Sequence, residues 1–299
     1  GIFLDISKAF DRVWHQGLLF KLKQNGIAGD LYNLLVSFLE NRKQRIVLNG
    51  QFLPWANVFA GVPQGSILGP LFFLVNINDL CEGLKLNSRL FADDVSLFSA
   101  VSDINVTANQ MNSDLTLINE WAFKWKMQFN PDPSKQAQEV LFSRKIKNVC
   151  HPNLNFNNNV VNQVSSQKHL GLILDQILDF NEHLKVVSSK VSRGIGLLRK
   201  LHHVLPRFSL LTIYKSFIRP HLDYGDVVFD QAFNESFHKR IESLQYSAAL
   251  VTTVAISGSS REKNYQELGI ESLRARRWFR KLALFIKLIE QNTPLISMV

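Results

Sequence analysis

The sequence predicts an α+β protein, an antiparallel sheet covered by helices on one face and followed by an all-helical region. Three observations lead to this fold class. Apolar strands, amphipathic helices and hairpin signals are mixed up to about residue 175, and the pattern becomes wholly helical from Asn181 onward. The 299 residues are 46% hydrophobic, which is enough to bury more than one core. We therefore expect at least two subdomains.

The elements of the first half are predicted from apolar periodicity and from the turn residues at their ends. In order, we expect a strand at Ile2 to Leu4, a helix from Trp14 to Asn25, a helix N-capped by Asp30, a hairpin turning at Asn49-Gly50, a helix from Leu68 to Leu80, strands on either side of Asp93-Asp94, a helix from Asp103 to about Phe129, a strand at Glu139 to Ser143 and a loop or short hairpin at Asn153 to Asn162.

Helices are predicted through the second half. They should begin near Asn181, Ser209, Ser236 and Leu273. The first of these helices has an apolar stripe, and its basic residues Lys190, Arg193 and Lys200 lie on another face. That basic face could follow a phosphate backbone, or it could simply be solvated.

Composition narrows the class of partner. The formal net charge of +9 indicates a polyanionic partner. The two cysteines, Cys81 and Cys150, lie in unrelated contexts, so the sequence supports neither a disulfide framework nor a zinc site and favours a reducing compartment. No apolar run reaches the roughly eighteen residues of a membrane span, so no membrane association is expected.

Three carboxylates stand at the ends of predicted strands. Asp5 closes one apolar run, and Asp93-Asp94 lies between two others. Clustered acids at the edge of a core are costly unless a cation offsets them, and oxygen ligands suit Mg²⁺. Because strand side chains alternate, we expect Asp5 and Asp93 to be the principal ligands, with Asp94 as an outer or second-metal ligand. A simple polar turn at Asp93-Asp94 is the alternative.

Several segments in a fixed order together resemble the reverse transcriptases of non-LTR retrotransposons, in particular the jockey-like group. The segments are Phe-Leu-Asp-Ile-Ser-Lys-Ala-Phe-Asp from residue 3, Gly-Val-Pro-Gln-Gly-Ser from residue 61, Phe-Ala-Asp-Asp from residue 91, and the later stretches 130–135, 168–171 and 218–224. The resemblance implies a right-hand polymerase fold. Residues 1–175 would be the palm, 176–225 a primer-supporting hairpin and helical thumb, and 226–299 a C-terminal helical region. Since the chain starts at Gly1, close to the first Asp motif, we expect a fragment that lacks most of the fingers.

By the same resemblance, the chain would be an RNA-directed DNA polymerase. Asp5, Asp93 and Asp94 would bind two Mg²⁺ ions, with Mn²⁺ as a substitute. The partners would be an RNA template, a DNA primer or target and dNTPs, and the protein would act in the nucleus and cytoplasm as a ribonucleoprotein. Two metals can activate the primer 3′-hydroxyl, neutralise the attacked phosphate and hold the departing pyrophosphate.

The resemblance also assigns residues that contact the substrates. Phe10 would exclude a 2′-hydroxyl, backbone N–H groups of Lys8 and Ala9 would receive triphosphate oxygens, and Gln64 and Gly65 would contact nucleotide and template. Lys135 would assist the leaving pyrophosphate. His169, Leu170 and Gly171 would form a hairpin that supports the primer end. The alternatives are a core Phe10, an ordinary loop at Gln64-Gly65 and a merely exposed Lys135.

Two other functions remain open at this stage. A degenerate element remnant could bind RNA without polymerising, in which case binding would depend on salt but no nucleotide would be incorporated. A metal-dependent nuclease could use the same carboxylates, and it would cleave without added nucleotides.

Overall fold

The chain folds into two compact units. The computed structural model describes residues 1–144, 151–231 and 234–291. The first unit, called the sheet unit here, comprises Gly1–Gly171 and Asp175–Ile177, and the second, the helical unit, comprises Leu172–Leu174 and Leu178–Val299.

The sheet unit combines short strands with five helices. Its strands are β1 (Ile2–Asp5), β2 (Lys43–Gln44), β3 (Val47–Leu48), β4 (Gln51–Phe52), β5 (Ala56–Asn57), β6 (Asn87–Phe91), β7 (Asp94–Phe98), β8 (Ala137–Glu139), β9 (Asn155–Phe156), β10 (Asn159–Val160), β11 (Asn162–Gln163) and β12 (Ser166–His169). Its helices are α1 (His15–Gln24), α2 (Gly29–Leu39), α3 (Leu68–Ile77), α4 (Ile104–Lys124) and α5 (Pro133–Gln136), with 3₁₀ turns at Ala9–Arg12 and Asn78–Cys81. Strand β13 (Leu172–Asp175) contains the boundary between the units.

The central sheet has the strand order β11-β8-β1-β7-β6. Strand β1 is antiparallel to both β7 and β8, and β6 is antiparallel to β7. The expectation of a purely antiparallel sheet is corrected at one edge, where β11 pairs with β8 in parallel. Parallel strands need a connection much longer than a hairpin turn, and the 22 residues between Glu139 and Asn162 are long enough to supply one.

Side-chain alternation assigns the two faces of this sheet. Ile2 and Leu4 pair with Leu97 and Val95, and all four are buried in one core with residues of α1, α3 and α4. Phe3 points the other way, where its ring packs edge-on against Phe98 at a centroid distance of 5.7 Å. The helices therefore cover the face of Ile2 and Leu4, and the Phe3 face is the one that Asp5 shares.

Several predicted element boundaries are wrong by a few residues, and α4 ends at Lys124 instead of near Phe129. Asp94 begins β7 and is not part of the turn, because Phe91 and Asp94 are already paired and only Ala92 and Asp93 lie between them. The strand expected to start at Glu139 ends there, since the residues that pair with β1 begin at Ala137. Asp30 lies inside the first turn of α2, whose N-cap is Ala28.

The helical unit is a helical assembly around its own apolar core. Its helices are α6 (Asn181–Leu201), α7 (Arg207–Ile213), α8 (Arg219–Asp223), α9 (Asp226–Phe229), α10 (Glu235–Thr253), α11 (Arg261–Leu268) and α12 (Leu273–Glu290). A π-helical turn at Tyr214–Ile218 joins α7 to α8. The predicted apolar stripe of α6 is confirmed, because Leu184, Val187, Val191 and Leu198 are all buried in this core.

The arginine-rich helix α12 directs much of its charge inward. Arg276 forms a bidentate contact with Asp223, with distances of 3.0 to 3.1 Å from Nε and Nη2. Lys281 Nζ lies 2.6 Å from Asp230 Oδ2. Arg277 is almost fully buried, and its Nη1 is 3.4 Å from Asp230 Oδ1. These cations therefore hold the unit together and are not freely available to phosphates.

Two expectations from composition can be compared with the described part of the chain. Across those residues, no helix is both long and apolar enough to cross a bilayer. Cys81 is a free, half-buried thiol, whereas Cys150 lies outside the described residues.

Candidate functional site

Two of the predicted carboxylates are direct neighbours across the central sheet. In the register of β1 and β7, Asp5 is the partner of Asp94. Directly opposed residues of an antiparallel pair point to the same face, which here is the face of Phe3, away from the helix-covered core. Asp93 lies in the two-residue turn, beside Ala92 with φ 52°. The alternation argument that made Asp93 the face-mate of Asp5 is therefore corrected, because Asp94 takes that position.

The carboxylates affect one another electrostatically. The pKa of Asp94 is raised, first by burial and then by the negative charge of Asp93, and Asp5 adds to this effect. Within the described residues, no group of three His, Cys, Asp or Glu side chains already converges on one point. Mg²⁺ commonly binds one or two carboxylates and completes its shell with water and substrate phosphates. A pair of exposed carboxylates at the end of two paired strands is a donor set of that kind.

Asn130 orients the Asp5 carboxylate and was missed as a site residue. Its Nδ2 donates to Asp5 Oδ2 at 2.7 Å, and its backbone N–H donates to the Asp5 carbonyl at 2.8 Å. The sequence offers a signal, since the stretch 130–135 contributes to the resemblance, although that resemblance assigns a role to Lys135 and none to Asn130. Fixing one oxygen of Asp5 in this way leaves the other oxygen oriented for a ligand.

Lys135 is connected to Asp5 through the same loop. Asn130 Oδ1 accepts the backbone N–H of Asp132, and Asp132 caps helix α5 by accepting the N–H of Ser134, both at 3.0 Å. The Lys135 Nζ lies 3.5 Å from Asp132 Oδ2, and 66% of the lysine side chain is exposed. Lys135 is thus an exposed cation on the surface of this loop, and the carboxylate of Asp132 lies beside it.

A groove of about 500 Å³ brings together residues from distant parts of the sequence. Lys8 and Gln64, both predicted to contact the nucleotide, line it together with Asp11. Gln64 Nε2 donates to Asp11 Oδ1 at 2.9 Å, which fixes the amide against the groove wall. Arg42 and Lys43 also line the groove and were not predicted as site residues, although the basic run 42–45 was visible in the sequence.

Backbone geometry brings the wall of this groove close to the turn after β1. Lys8 adopts a left-handed conformation with φ 48°. Gly61 donates its N–H to the Val13 carbonyl at 2.8 Å, and a Cβ at Gly61 would come within 2.9 Å of the Asp11 carbonyl oxygen. Only glycine allows this approach, so Gly61 fixes the loop that carries Gln64 and Gly65. Gly65 itself has φ 86° with open space at its Cβ position.

The side chains of Phe10 and Ala9 differ in how deeply they are buried. The Phe10 ring stacks on Phe73 with centroids 4.6 Å apart and is partly buried. The Ala9 side chain is buried in the core. Any contact of Ala9 with a ligand would therefore come from its backbone.

His169 lies close to the carboxylates. Its ring centroid is 5.0 Å from that of Phe3, on the sheet face that Asp5 shares. Burial lowers the pKa of His169, and the negative charge of Asp94 partly offsets this effect. The turn that follows has φ 46° at Leu170 and φ 82° at Gly171, the signs of a type I′ hairpin turn.

Three cations of the helical unit were predicted to bind a phosphate backbone, and only two of them lie near one another. Lys190 and Arg193 lie near enough to His221 to help lower its pKa, after the larger effect of burial. Lys200 is exposed on the same helix but ten residues from Lys190, about 15 Å along the axis. His221 was missed, although the segment that contains it contributed to the resemblance.

Comparison with known proteins agrees with the motif order. Residues 1–174 match the family model of the reverse transcriptase (RNA-dependent DNA polymerase). The chain is 32% identical over 260 residues to the probable RNA-directed DNA polymerase from transposon X-element of Drosophila melanogaster, covering 84% of this chain and 28% of that protein. It is 31% identical over 249 residues to the RNA-directed DNA polymerase from mobile element jockey of Drosophila funebris, covering 79% and 26%. The chain thus spans little more than a quarter of these relatives.

Proposed function

Because the chain belongs to the reverse transcriptase (RNA-dependent DNA polymerase) family, we propose that it carries the polymerising site of a non-LTR retrotransposon reverse transcriptase. In this proposal, it extends a DNA primer 3′ end by adding dNTPs on an RNA template. The sheet unit is the palm and the helical unit contributes the thumb. The observation that carries the proposal is the pairing of Asp5 with Asp94, both of them exposed, across the central sheet. Lys8, three residues after Asp5, lines the cationic groove.

Asp5 and Asp94, with Asp93 beside them, would hold the divalent ions, Mg²⁺ in the first place. When bound, such ions lower the pKa of the primer hydroxyl and neutralise charge on the phosphates. The chain's own contribution is to set two carboxylates side by side on rigid paired strands. Asn130 fixes the orientation of one of them through its 2.7 Å hydrogen bond.

The groove would hold the triphosphate of the incoming nucleotide. Lys8, Arg42 and Lys43 give its wall positive charge, while Asp11 is engaged by the amide of Gln64. The ring of Phe10, backed by Phe73, would lie against the sugar. Lys135 would supply a charge or a proton to the leaving pyrophosphate.

The remaining assignments concern the nucleic-acid strands. The turn at Leu170-Gly171 and the neighbouring His169 would support the primer end beside the carboxylates. Lys190, Arg193 and His221 would contact a phosphate backbone as one group, and Lys200 would contact it further along the helix.

Primer extension on an RNA template tests the proposal through the carboxylates. We expect Asp5→Asn, Asp93→Asn and Asp94→Asn each to lower the extension rate by about a hundredfold or more, since removing a metal ligand costs several kcal/mol of transition-state stabilisation. Titration with Mn²⁺, followed by electron paramagnetic resonance, should show weaker binding in Asp5→Asn and Asp94→Asn.

Asp30→Asn is the matched control, because Asp30 is an exposed carboxylate on α2. Its extension rate and Mn²⁺ affinity should equal those of the wild type. Extension that persists in Asp94→Asn would overturn the proposal. Salt-dependent RNA binding by the wild type without any incorporation would instead support the function of RNA binding alone.

A further inference from the structure

A two-stranded β-ribbon begins beside the groove, and it exposes aromatic and cationic side chains. Residues 42–59, called the aromatic ribbon here, contain β2 paired with β5 and β3 paired with β4. Its tip turns at Asn49 and Gly50, both with positive φ. An isolated two-stranded ribbon is only marginally stable in water. A partner that covers its side chains should therefore stabilise the ribbon.

The exposed side chains of the ribbon include three aromatic rings. Phe52, Trp55 and Phe59 are 60%, 59% and 78% exposed, respectively. Phe52 is opposite Val47 in the register, so these two share one face. Exposed aromatic rings in such a concentration mark an interaction surface.

The charge of the ribbon identifies the kind of partner. It carries Arg42, Lys43 and Arg45 and has neither Asp nor Glu between residues 41 and 60. The Arg45 guanidinium carbon lies 4.1 Å from the Phe52 ring centroid and 4.6 Å from that of Trp55. This cation therefore sits among the rings, on the same surface.

We propose that the aromatic ribbon binds single-stranded nucleic acid, with unpaired bases stacked on Trp55 and Phe52 and a phosphate held by Arg45. Base stacking on aromatic rings beside a cation that neutralises the backbone is the general chemistry of single-strand binding. A double helix has its bases already stacked and offers no free ring faces. The aliphatic side chains Ile46 and Leu48 alternate onto the other face of the ribbon and play no part in this binding.

The position of the ribbon indicates which strand it binds. Arg42, Lys43, Gln44 and Val58, at its base, line the same groove as Lys8 and Gln64. If that groove holds the incoming nucleotide, the unpaired strand on the ribbon is the template ahead of the pairing position. This last identification rests on the proposed function, whereas single-strand binding does not.

Fluorescence anisotropy with a fluorescein-labelled 15-nucleotide oligo(A) RNA tests the inference without requiring catalysis. We expect Trp55→Ala and Phe52→Ala each to weaken binding about tenfold, and Trp55→Phe to restore most of the affinity. Arg45→Gln should make the slope of log Kd against log salt shallower by about 0.7. Affinity for a blunt RNA duplex of equal length should be unchanged in the two ring variants.

Two variants provide matched controls. Phe123 is 89% exposed on α4, and Phe123→Ala should bind the oligonucleotide as the wild type does. Arg261 also lies over an aromatic ring, that of Tyr246 at 5.4 Å, and Arg261→Gln should leave the salt slope unchanged. Circular dichroism of each variant establishes that the fold is retained.

The outcomes separate this inference from the proposed function. Unchanged oligonucleotide affinity in both Trp55→Ala and Phe52→Ala would overturn it. So would sedimentation showing that the wild type self-associates and that Trp55→Ala abolishes only that association. Loss of binding in the ring variants would support it even if the chain incorporated no nucleotide, a result that would count against the polymerase function alone.

Discussion

The carboxylates of Asp5 and Asp94 illustrate how one register decides the chemistry of single residues. These residues are cross-strand partners, and the pKa of Asp94 is raised by burial, by the charge of Asp93 and, to a smaller extent, by that of Asp5. Asn130 offsets part of the cost of this arrangement by donating to Asp5. The same residues placed one position out of register would lie on opposite faces of the sheet.

Phe10 gives a prediction at the residue scale. Its ring is held by stacking on Phe73, and in the proposed function it excludes a 2′-hydroxyl. We expect Phe10→Val to lower the preference for dNTPs over rNTPs, measured as the ratio of kcat/KM values, by about tenfold or more. The measurement is single-nucleotide incorporation with matched dNTP and rNTP.

A control for this prediction is Phe20→Val. Phe20 is a half-exposed ring on α1 that packs near Trp125, away from the groove-lining residues. Its sugar discrimination should equal that of the wild type. Discrimination that also survives in Phe10→Val would show that Phe10 is only a core side chain.

At the scale of elements, the hairpin of β6 and β7 shows what sequence patterns predict and what they do not. The apolar runs on either side of Asp93-Asp94 predicted both strands. Which acid belongs to the turn was not predicted, because turn length depends on the pairing of Phe91 with Asp94. Likewise, the basic composition of α12 was visible, but the aspartates that engage it come from residues 223–230.

The short helix α9 contains a fully buried carboxylate, that of Asp226. Burial raises the pKa of Asp226, and the nearby cations Arg280 and Arg277 offset only part of this effect. The folded state thus favours the protonated acid. Stability from this group is present at low pH and is lost as pH rises above the ordinary value of 3.8 and through the folded pKa.

The variant Asp226→Asn tests the direction in which this carboxyl group changes stability as pH rises. Because asparagine imitates the neutral acid, the stability of the variant relative to the wild type should rise between about pH 4 and about pH 7. Urea unfolding followed by circular dichroism at both pH values measures the difference. A relative stability that falls with rising pH would mean that attraction to Arg280, whose Nε is 3.4 Å from Asp226 Oδ1, outweighs burial.

At the scale of the whole molecule, the chain has two large separate cores, one in each unit. The core of the helical unit takes residues from α6 to α10 and from α12, so residues on both sides of position 225, where a boundary was expected, contribute to it. Chains with more than one unit often unfold in more than one step. Each unit then responds to substitutions in its own core.

Arg277→Leu should selectively destabilise the helical unit. The Arg277 side chain is 2% exposed and lies between Asp230 and the rings of Phe229 and Phe237. Its removal breaks a buried ion pair and leaves Asp230 with Lys281 as its remaining cationic partner on α12, which costs about 3 kcal/mol of unfolding free energy. Thermal and urea unfolding should show this loss in the transition of the helical unit.

Arg274→Leu is the control from the same helix. Arg274 pairs with Glu235 at 2.9 Å, but both side chains are about 60% exposed. Such a pair is worth about 0 to 1 kcal/mol. Equal losses in Arg274→Leu and Arg277→Leu would show that the buried network contributes no more than a surface ion pair.

The sequence by itself determined the α+β class, most element positions, the order of the motifs and hence the family, because periodicity, turn residues and motif order are local properties of the chain. Only the tertiary structure decided that Asp94 faces Asp5, that Asn130 orients Asp5, and that Arg42 and Lys43 share a groove with Lys8. Those facts depend on register and on contacts between residues far apart in sequence, which local patterns do not encode.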